Sequence, residues 1–384
     1  MTNSKPKVLI IGAENFGLGG RSVIAYNLIK EMTKEFSVSF LSLSQKKKQT
    51  KKQFELLNNP DVHLISLNLI QSQCAIVRNY RLAQSLREIL EKENFDIIHI
   101  HADDAWEAYK FVAAARKAKV GKIIVHAHAS NEQTKIGFAK RLIQKLFQKL
   151  LAKGNIIKIS PSIAAKEYMF GSAIDDVTIV HNGIDLEKYV FDVTNRHELR
   201  ERFDLSEGTI LFGTIGRLVE VKNPVFIIDF ISRASKEITD FKFLWIGTGP
   251  LKNQIRVSLE ERELLDKVIL MDSSIELYKI YSALDYFILP SFHEGLGIVN
   301  IEAQANGLGG LVSEGIPPLA VINRNFNRLP LSEGAEKWVQ FFKSGKVDRI
   351  PFDAAIENVK KAKFDIRESQ AVLREIYTKD ILRK

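Results

Sequence analysis

The sequence predicts an α/β protein of two doubly wound domains, each a parallel sheet with helices on both faces. Three observations carry that expectation. Short apolar runs alternate with longer amphipathic stretches along almost the whole chain. The length, 384 residues, is too great for one ordinary core and suits two. Near the middle the turn His181-Asn182-Gly183 precedes a charged stretch, residues 187–202, and the pattern breaks there.

In the first half, strands are expected at 7–12, 37–43, 62–67, 96–101, 122–126, 156–160 and 177–180. Amphipathic stretches such as 22–33, 80–91 and 105–117 lie between several of them. In the second half the strands fall at 210–215, 242–246, 268–271, 286–290, 310–312 and 319–322. With the linker in 182–205, the domains are 1–190 and 200–363, and 364–384 is a terminal helical segment. Ligands of such sheets bind outside the carboxyl ends of the strands, so facing domains would hold theirs in a cleft.

Composition narrows the function. Hydrophobic residues are 45% and charged residues 26%, as in soluble globular enzymes. No apolar run approaches the roughly 20 residues that span a bilayer. The first residues run straight into a strand with no signal-peptide pattern. The single cysteine, Cys74, excludes an internal disulfide and a cysteine-based zinc site. A cytoplasmic location is therefore expected. Net charge is +9 and unevenly spread: residues 1–200 hold 30 Lys+Arg against 20 Asp+Glu, and residues 201–384 hold 25 against 26. A basic first half suits a polyanionic partner such as anionic lipid or a diphosphate-linked acceptor. The run 46–52 reads as a solvated loop. It lacks the interleaved aromatics of a nucleic-acid surface, and no nucleic-acid partner is expected. Segment 135–158 is basic and amphipathic. It reads as a helix on an anionic membrane or, more simply, as a domain helix with its apolar face in the core.

The chemistry-bearing motifs follow strands. After the first comes Gly12-Ala13-Glu14-Asn15-Phe16-Gly17-Leu18-Gly19-Gly20, which departs from G-x-G-x-x-G, so a nicotinamide enzyme is not indicated. Gly19 and Gly20 at a helix start still let backbone N–H groups approach a phosphate closely. After strand 286–290 comes Glu294-Gly295-Leu296-Gly297-Ile298-Val299-Asn300-Ile301-Glu302. If helix filled that interval, the two glutamates would lie about 12 Å apart along its axis, too far for a glycosidase pair. Glu294 is instead expected in the loop and Glu302 a turn into the helix, with a diphosphate at the glycine-rich start between them. After strand 210–215, Gly216 precedes Arg217, and Lys222 closes the loop. Those two cations would stabilise charge building on a departing diphosphate.

Together these segments resemble the family 4 retaining glycosyltransferases of the GT-B fold. The resemblance rests on Glu294…Glu302, on Gly216-Arg217-Leu218…Lys222-Asn223 and on His181-Asn182-Gly183-Ile184-Asp185. It extends to Asp96-Ile97-Ile98-His99-Ile100-His101, His126-Ala127-His128-Ala129-Ser130 and Gly247-Thr248-Gly249-Pro250-Leu251, and covers nearly the whole chain. The His-x-His-x-Ser form is similar to the branch that builds bacterial exopolysaccharide and capsule. The resemblance implies two Rossmann-like domains, the first taking the acceptor and the second the nucleotide sugar as substrate, with no cofactor. It implies Arg217 and Lys222 on the diphosphate, Glu294 at the donor sugar, Glu302 on the ribose, and Gly19 and Gly20 at the diphosphate or acceptor. His128 matches the histidine near the reacting sugar, with His126 as the other candidate. Gly295, Leu296, Gly297, Ile298, Gly216 and Asn182 complete the implied substrate-binding set, and the terminal helix would pack on the first domain.

The implied activity is metal-independent sugar transfer with retained configuration from a UDP-linked donor. The implied acceptor is a glycan or polyprenyl-diphosphate-linked sugar, met at the inner face of the cell membrane. A nucleotide-sugar epimerase of the same fold and a catalytically silent subunit are the alternatives. Three departures affect the donor pocket: Thr248 replaces a common acid, Gly309 follows Gly307-Leu308 where a proline is usual, and Pro317-Pro318 interrupts the next loop.

Overall fold

The computed structural model describes residues 5–13, 20–43, 58–67, 75–129, 137–272, 276–345 and 347–379. Two units emerge: Met1–Gly183 with Ile366–Lys384, and Ile184–Asp365.

The first unit carries a seven-stranded parallel sheet of β1 (Lys7–Ile11), β2 (Ser37–Ser42), β3 (Val62–Ser66), β4 (Ile97–Ala102), β5 (Lys122–Ala127), β6 (Ile157–Ser160) and β7 (Val177–Ile179). The order is β3-β2-β1-β4-β5-β6-β7, so the winding reverses between β1 and β4. That is where such sheets open a crevice at their carboxyl ends. The helices are α1 (Gly20–Ile29), α2 (Ala75–Glu93), α3 (Ala105–Lys117), α4 (Phe138–Ala152) and α5 (Ile163–Phe170). Strand β1 shows why an unbroken apolar run suits this fold. Leu9 and Ile11 enter one core with α2 and α3, while Val8 and Ile10 enter another with α1. The Asp104 carboxylate caps α3 by accepting from Glu107 N–H at 2.7 Å.

Helix α4 corrects the simpler sequence expectation. Its inner face is narrow: Leu151 is fully buried and Gln144 nearly so. Gln144 accepts from Ala105 N–H at 3.1 Å and donates to the Tyr168 carbonyl at 2.7 Å, which sets the rotation of the helix. Leu142, Ile143 and Leu146, assigned to a core by periodicity, are exposed.

The second unit carries a six-stranded parallel sheet of β8 (Ile210–Ile215), β9 (Phe241–Ile246), β10 (Val268–Met271), β11 (Tyr286–Leu289), β12 (Gly309–Val312) and β13 (Phe326–Arg328). The order β10-β9-β8-β11-β12-β13 again reverses, here between β8 and β11. Its helices are α6 (Val193–Arg202), α7 (Pro224–Glu237), α8 (Lys252–Glu261), α9 (Leu277–Ala283), α10 (Ile298–Ala305), α11 (Gly334–Lys343) and α12 (Phe352–Lys361). Over 187–202 a 3-10 turn (Leu186–Tyr189) leads into α6, so much of the expected linker is helical. Arg200 is buried and pairs with Asp285 at 3.0 Å, and Arg196 pairs with the same carboxylate at 2.6 Å.

The strand expected at 319–322 is not formed. Pro318–Ala320 is a short 3-10 turn, and the last strand is β13. Pro317 and Pro318 supply no N–H for a ladder; Ala320, Val321 and Ile322 pack on the core, while Leu319 is exposed.

After the second unit the chain returns to the first as α13 (Ile366–Thr378). Gln370 on it donates to the Asn27 carbonyl of α1 at 2.7 Å, and Tyr377 is fully buried in the core of α1 and β1. None of the described helices is long and apolar enough to cross a membrane.

Candidate functional site

At the carboxyl ends of β8 and β11, adjacent strands at the winding reversal, two loops meet. Phe292 N–H donates to the Val221 carbonyl at 2.9 Å and locks loop 291–297 onto loop 216–223. That junction brings Lys222 and Glu294 together as an ion pair, their side chains 21% and 13% exposed. The Ser291 hydroxyl donates to the same Glu294 oxygen at 2.7 Å, and the Ser313 hydroxyl donates to the Ser291 carbonyl. Gly216 gives the lysine its channel: a Cβ there would stand 3.3 Å from Lys222 Cε. Arg217, in the same loop, is exposed, and no described carboxylate pairs with it.

Helix α10 starts beside this pair. Gly297 adopts φ +68°, a conformation costly for any residue with a side chain, and turns the chain into the helix. No side chain caps that start. Gly295 is exposed, and Leu296 and Ile298 are half-buried against the core. Uncapped N–H groups and the positive end of the helix dipole favour an anion there. Two cations, Lys222 and Arg217, belong to the loop locked against it.

Glu302 lies on the second turn of α10, in a different setting. Its two oxygens accept from Tyr189 and Tyr281 hydroxyls, each at 2.6 Å. Burial, reinforced by the Glu302 charge, pushes both phenols above their ordinary range, so they remain protonated donors. Tyr281→Phe removes one charge-assisted bond and is expected to lower stability by roughly 1.5–3 kcal/mol, measured by denaturant unfolding. An unchanged midpoint would show that Glu302 does not depend on that phenol.

In the first unit four histidines gather at the carboxyl ends of β4 and β5. Strand alternation puts His99 and His101 on one face of β4, and register sets His101 opposite His126. Tyr377 Oη lies 2.7 Å from His99 Nδ1, and His99 Nε2 lies 3.3 Å from His126 Nδ1. His101 Nδ1 lies 2.7 Å from His128 Nε2. His99 and His101 stack with ring centroids 4.2 Å apart, and His126 and His128 with centroids 4.6 Å apart. Burial holds all four far below the usual histidine range, His126 at about 3. They are neutral rings. Nε2 of His101 and of His126 are buried with no partner among the described residues.

One ring nitrogen from each of His99, His101 and His126 lies within 4.8 Å of the others, which is a possible geometry for a metal. Among the described residues no carboxylate joins that set, and Arg21 adds positive charge toward His101 and His128. The hydrogen bonds among the rings and to Tyr377 make the cluster a stack of neutral imidazoles as it stands. His128 is the only one of the four with appreciable exposure. Asn182 is nearly buried, and its Oδ1 finds no partner among the described residues. Gly20 is the first residue of α1. Gly19, Cys74, Ser130 and the run 46–52 lie outside the described residues.

Sequence reasoning passed over Ser291, Tyr189, Tyr281 and Tyr377, all placed by tertiary contact. His99 and His101 carried a usable signal, since His-x-His on a strand faces one way.

Two family models match the chain: "Glycosyltransferase Family 4" over residues 18–188 and "Glycosyl transferases group 1" over residues 195–339. EpsF of Bacillus subtilis, a glycosyltransferase by name, is 25% identical over 383 residues, covering 98% of this chain and 97% of EpsF. An Escherichia coli UDP-Gal:alpha-D-GlcNAc-diphosphoundecaprenol alpha-1,3-galactosyltransferase is 26% identical over 246 residues, 62% of this chain and 63% of that one. Among solved structures, Anabaena HepE in complex with UDP and glucose superposes with a TM-score of 0.75 at 14% identity, covering 97% of this chain and 99% of that one. With both units matched and the same architecture found in solved relatives, this chain is a glycosyltransferase of family 4 with the GT-B fold.

Proposed function

We propose that this enzyme transfers a sugar, with retained anomeric configuration, from a UDP-linked donor to a polyprenyl-diphosphate-linked sugar. The reaction serves surface polysaccharide synthesis at the cytoplasmic face of the membrane. The observation that carries the reading is the Lys222–Glu294 pair locked beside the uncapped start of α10. A diphosphate supplies the anion that such a helix start favours, and its leaving charge is what Lys222 and Arg217 would stabilise. The Escherichia coli relative named above uses UDP-galactose and a diphosphoundecaprenol-linked sugar, and HepE binds UDP; these support the choice of donor and acceptor.

The roles follow. The second unit takes the donor: Arg217 and Lys222 hold the diphosphate with Gly216, Gly295, Leu296, Gly297 and Ile298 around it. Glu294 contacts the donor sugar, and Glu302, set by its two tyrosines, accepts from the ribose hydroxyls. The first unit takes the acceptor, with Gly19 and Gly20 at the diphosphate or acceptor, and Asn182 and His126 in support. His128 serves the reacting sugar as a neutral ring. The departing phosphate helps to take the acceptor proton. With two cations filling the charge role, turnover should persist in a chelator.

The test is a transfer assay over a panel of nucleotide sugars with a polyprenyl-diphosphate-linked sugar acceptor. Expected are one preferred UDP-sugar, an α-linked product from an α-linked donor, and no loss of rate in EDTA. Donor conversion without transfer to the acceptor, or an inverted product, would sink the reading.

A further inference from the structure

His128 does not stand alone in the first unit. The four rings at the ends of β4 and β5 form two hydrogen-bonded pairs, one stacked on the other. His99 and His126 make one pair, joined at 3.3 Å with ring planes 4° apart, and Tyr377 of α13 holds the far side of His99 at 2.7 Å. His101 and His128 make the other, with His101 Nδ1 2.7 Å from His128 Nε2. His101 lies over His99 with centroids 4.2 Å apart, and His128 lies over His126 with centroids 4.6 Å apart.

The backbones of the second pair are fixed as well. His128 N–H donates to the Ala102 carbonyl at 3.1 Å, which carries the β4–β5 register past the end of β5. Gly12, at φ +84°, lies so close to β4 that a Cβ on it would stand 2.0 Å from the His101 carbonyl oxygen. His101 is 0% exposed, so its side chain cannot touch a ligand, whereas His128 is partly exposed. An imidazole has two ring nitrogens, and the bond made by one decides the state of the other. With Nε2 of His128 taken by His101, Nδ1 is the nitrogen left for a ligand.

We propose that His101 is a positioning residue for sugar transfer: it anchors Nε2 of His128, so that His128 meets the reacting sugar through Nδ1. The inference rests on the reading that His128 serves that sugar. The anchor fixes the rotation of the His128 ring and ties its tautomer to that of His101. Without it the ring is free to turn over or to exchange tautomers, and a misplacement of about 1 Å is enough to cost a reaction on the order of 10²-fold.

The test is a kinetic double-mutant cycle on the full chain. His101→Leu should lower kcat by about 10–10²-fold and leave UDP affinity within about 2-fold of wild type. His101→Phe keeps a ring against His99 but offers no nitrogen, and it should lose as much. His101→Asn sets an amide nitrogen and an amide oxygen near the place of Nδ1, either of which can serve Nε2 of His128; its kcat should stay within about 5-fold of wild type. In a His128→Ala background, His101→Leu should cost less than about 2-fold more, because its effect passes through a ring already removed. All variants should keep wild-type circular dichroism; if His101→Leu does not, His101→Phe carries the comparison. Wild-type kcat without the nitrogen, an equal loss in His101→Asn, or a full further loss in the His128→Ala background would overturn the anchor and leave the role of His128 standing. Wild-type turnover by His128→Ala itself would instead remove the role of His128 on which the anchor rests.

Discussion

Arg217→Ala and Lys222→Ala should each lower kcat by roughly 10²–10³-fold, the loss seen when a preorganised charge-stabilising group is removed from a site of developing charge. The argument turns on when the charge appears. In the bound donor the diphosphate is esterified to the sugar; as that bond breaks, negative charge grows on the departing oxygen. A cation beside it therefore gains more in the transition state than in the ground state, and kcat should fall further than donor affinity. Lys222 is held by Glu294, within a loop locked through Phe292 and Val221. Glu294→Gln releases that lysine. Nucleoside diphosphate binding should survive this change while turnover falls by about 10²-fold, if the proposed contact of Glu294 to the donor sugar is what is lost. Steady-state kinetics over a donor concentration series separates the outcomes. Equal losses in affinity and kcat/KM, with kcat unchanged, would make both cations mere anchors.

Acid should destabilise the first unit steeply, and this is the second large effect. An unfolded chain protonates its histidines near pH 6.5. In the folded chain burial holds His126 at about 3 and holds His99, His101 and His128 well below the usual value. Above pH about 6.5 neither state binds these protons, and their contribution to stability is complete. Below it the unfolded state gains protons that the folded state refuses, so stability falls with pH until the folded pKa is reached. Each histidine contributes a slope of up to about 1.4 kcal/mol per pH unit, and four together several kcal/mol per unit, against a total stability of roughly 5–15 kcal/mol. Hydrogen exchange read over β4 and β5 should lose protection between pH 7 and about pH 5, while β8 and β11 keep theirs. His126→Gln should flatten the slope by about one proton's worth. Equal, shallow losses in both sheets would mean that the cluster takes up protons without unfolding.

The parallel sheets were legible because unbroken apolar runs between amphipathic stretches suit strands covered on both faces, as β1 shows. Strand β13 was not: it has three residues at a sheet edge, two of them polar, Asn327 and Arg328. The apolar run at 319–322 drew the assignment until the prolines before it are considered. Helix α4 marks another limit. Periodicity finds apolar residues around a helix but cannot say which face turns inward, and here buried Gln144 decides it. In the candidate site Lys222 and Glu294 were individually readable as residues at strand ends. Their pairing depends on β8 and β11 lying side by side across 72 residues of sequence. Glu302 showed its place on the helix but not its two phenols, and nothing near His99 announced Tyr377, 278 residues away.

Calorimetry of UDP and of uridine, on wild type and on a chain with both Arg217→Ala and Lys222→Ala, tests the central claim most directly. The account predicts that wild type binds UDP far more tightly than uridine, and that the double variant loses most of that difference while binding uridine as before. A double variant that kept the full preference for UDP would contradict it, since the diphosphate would then lie elsewhere than beside Lys222, Glu294 and the start of α10.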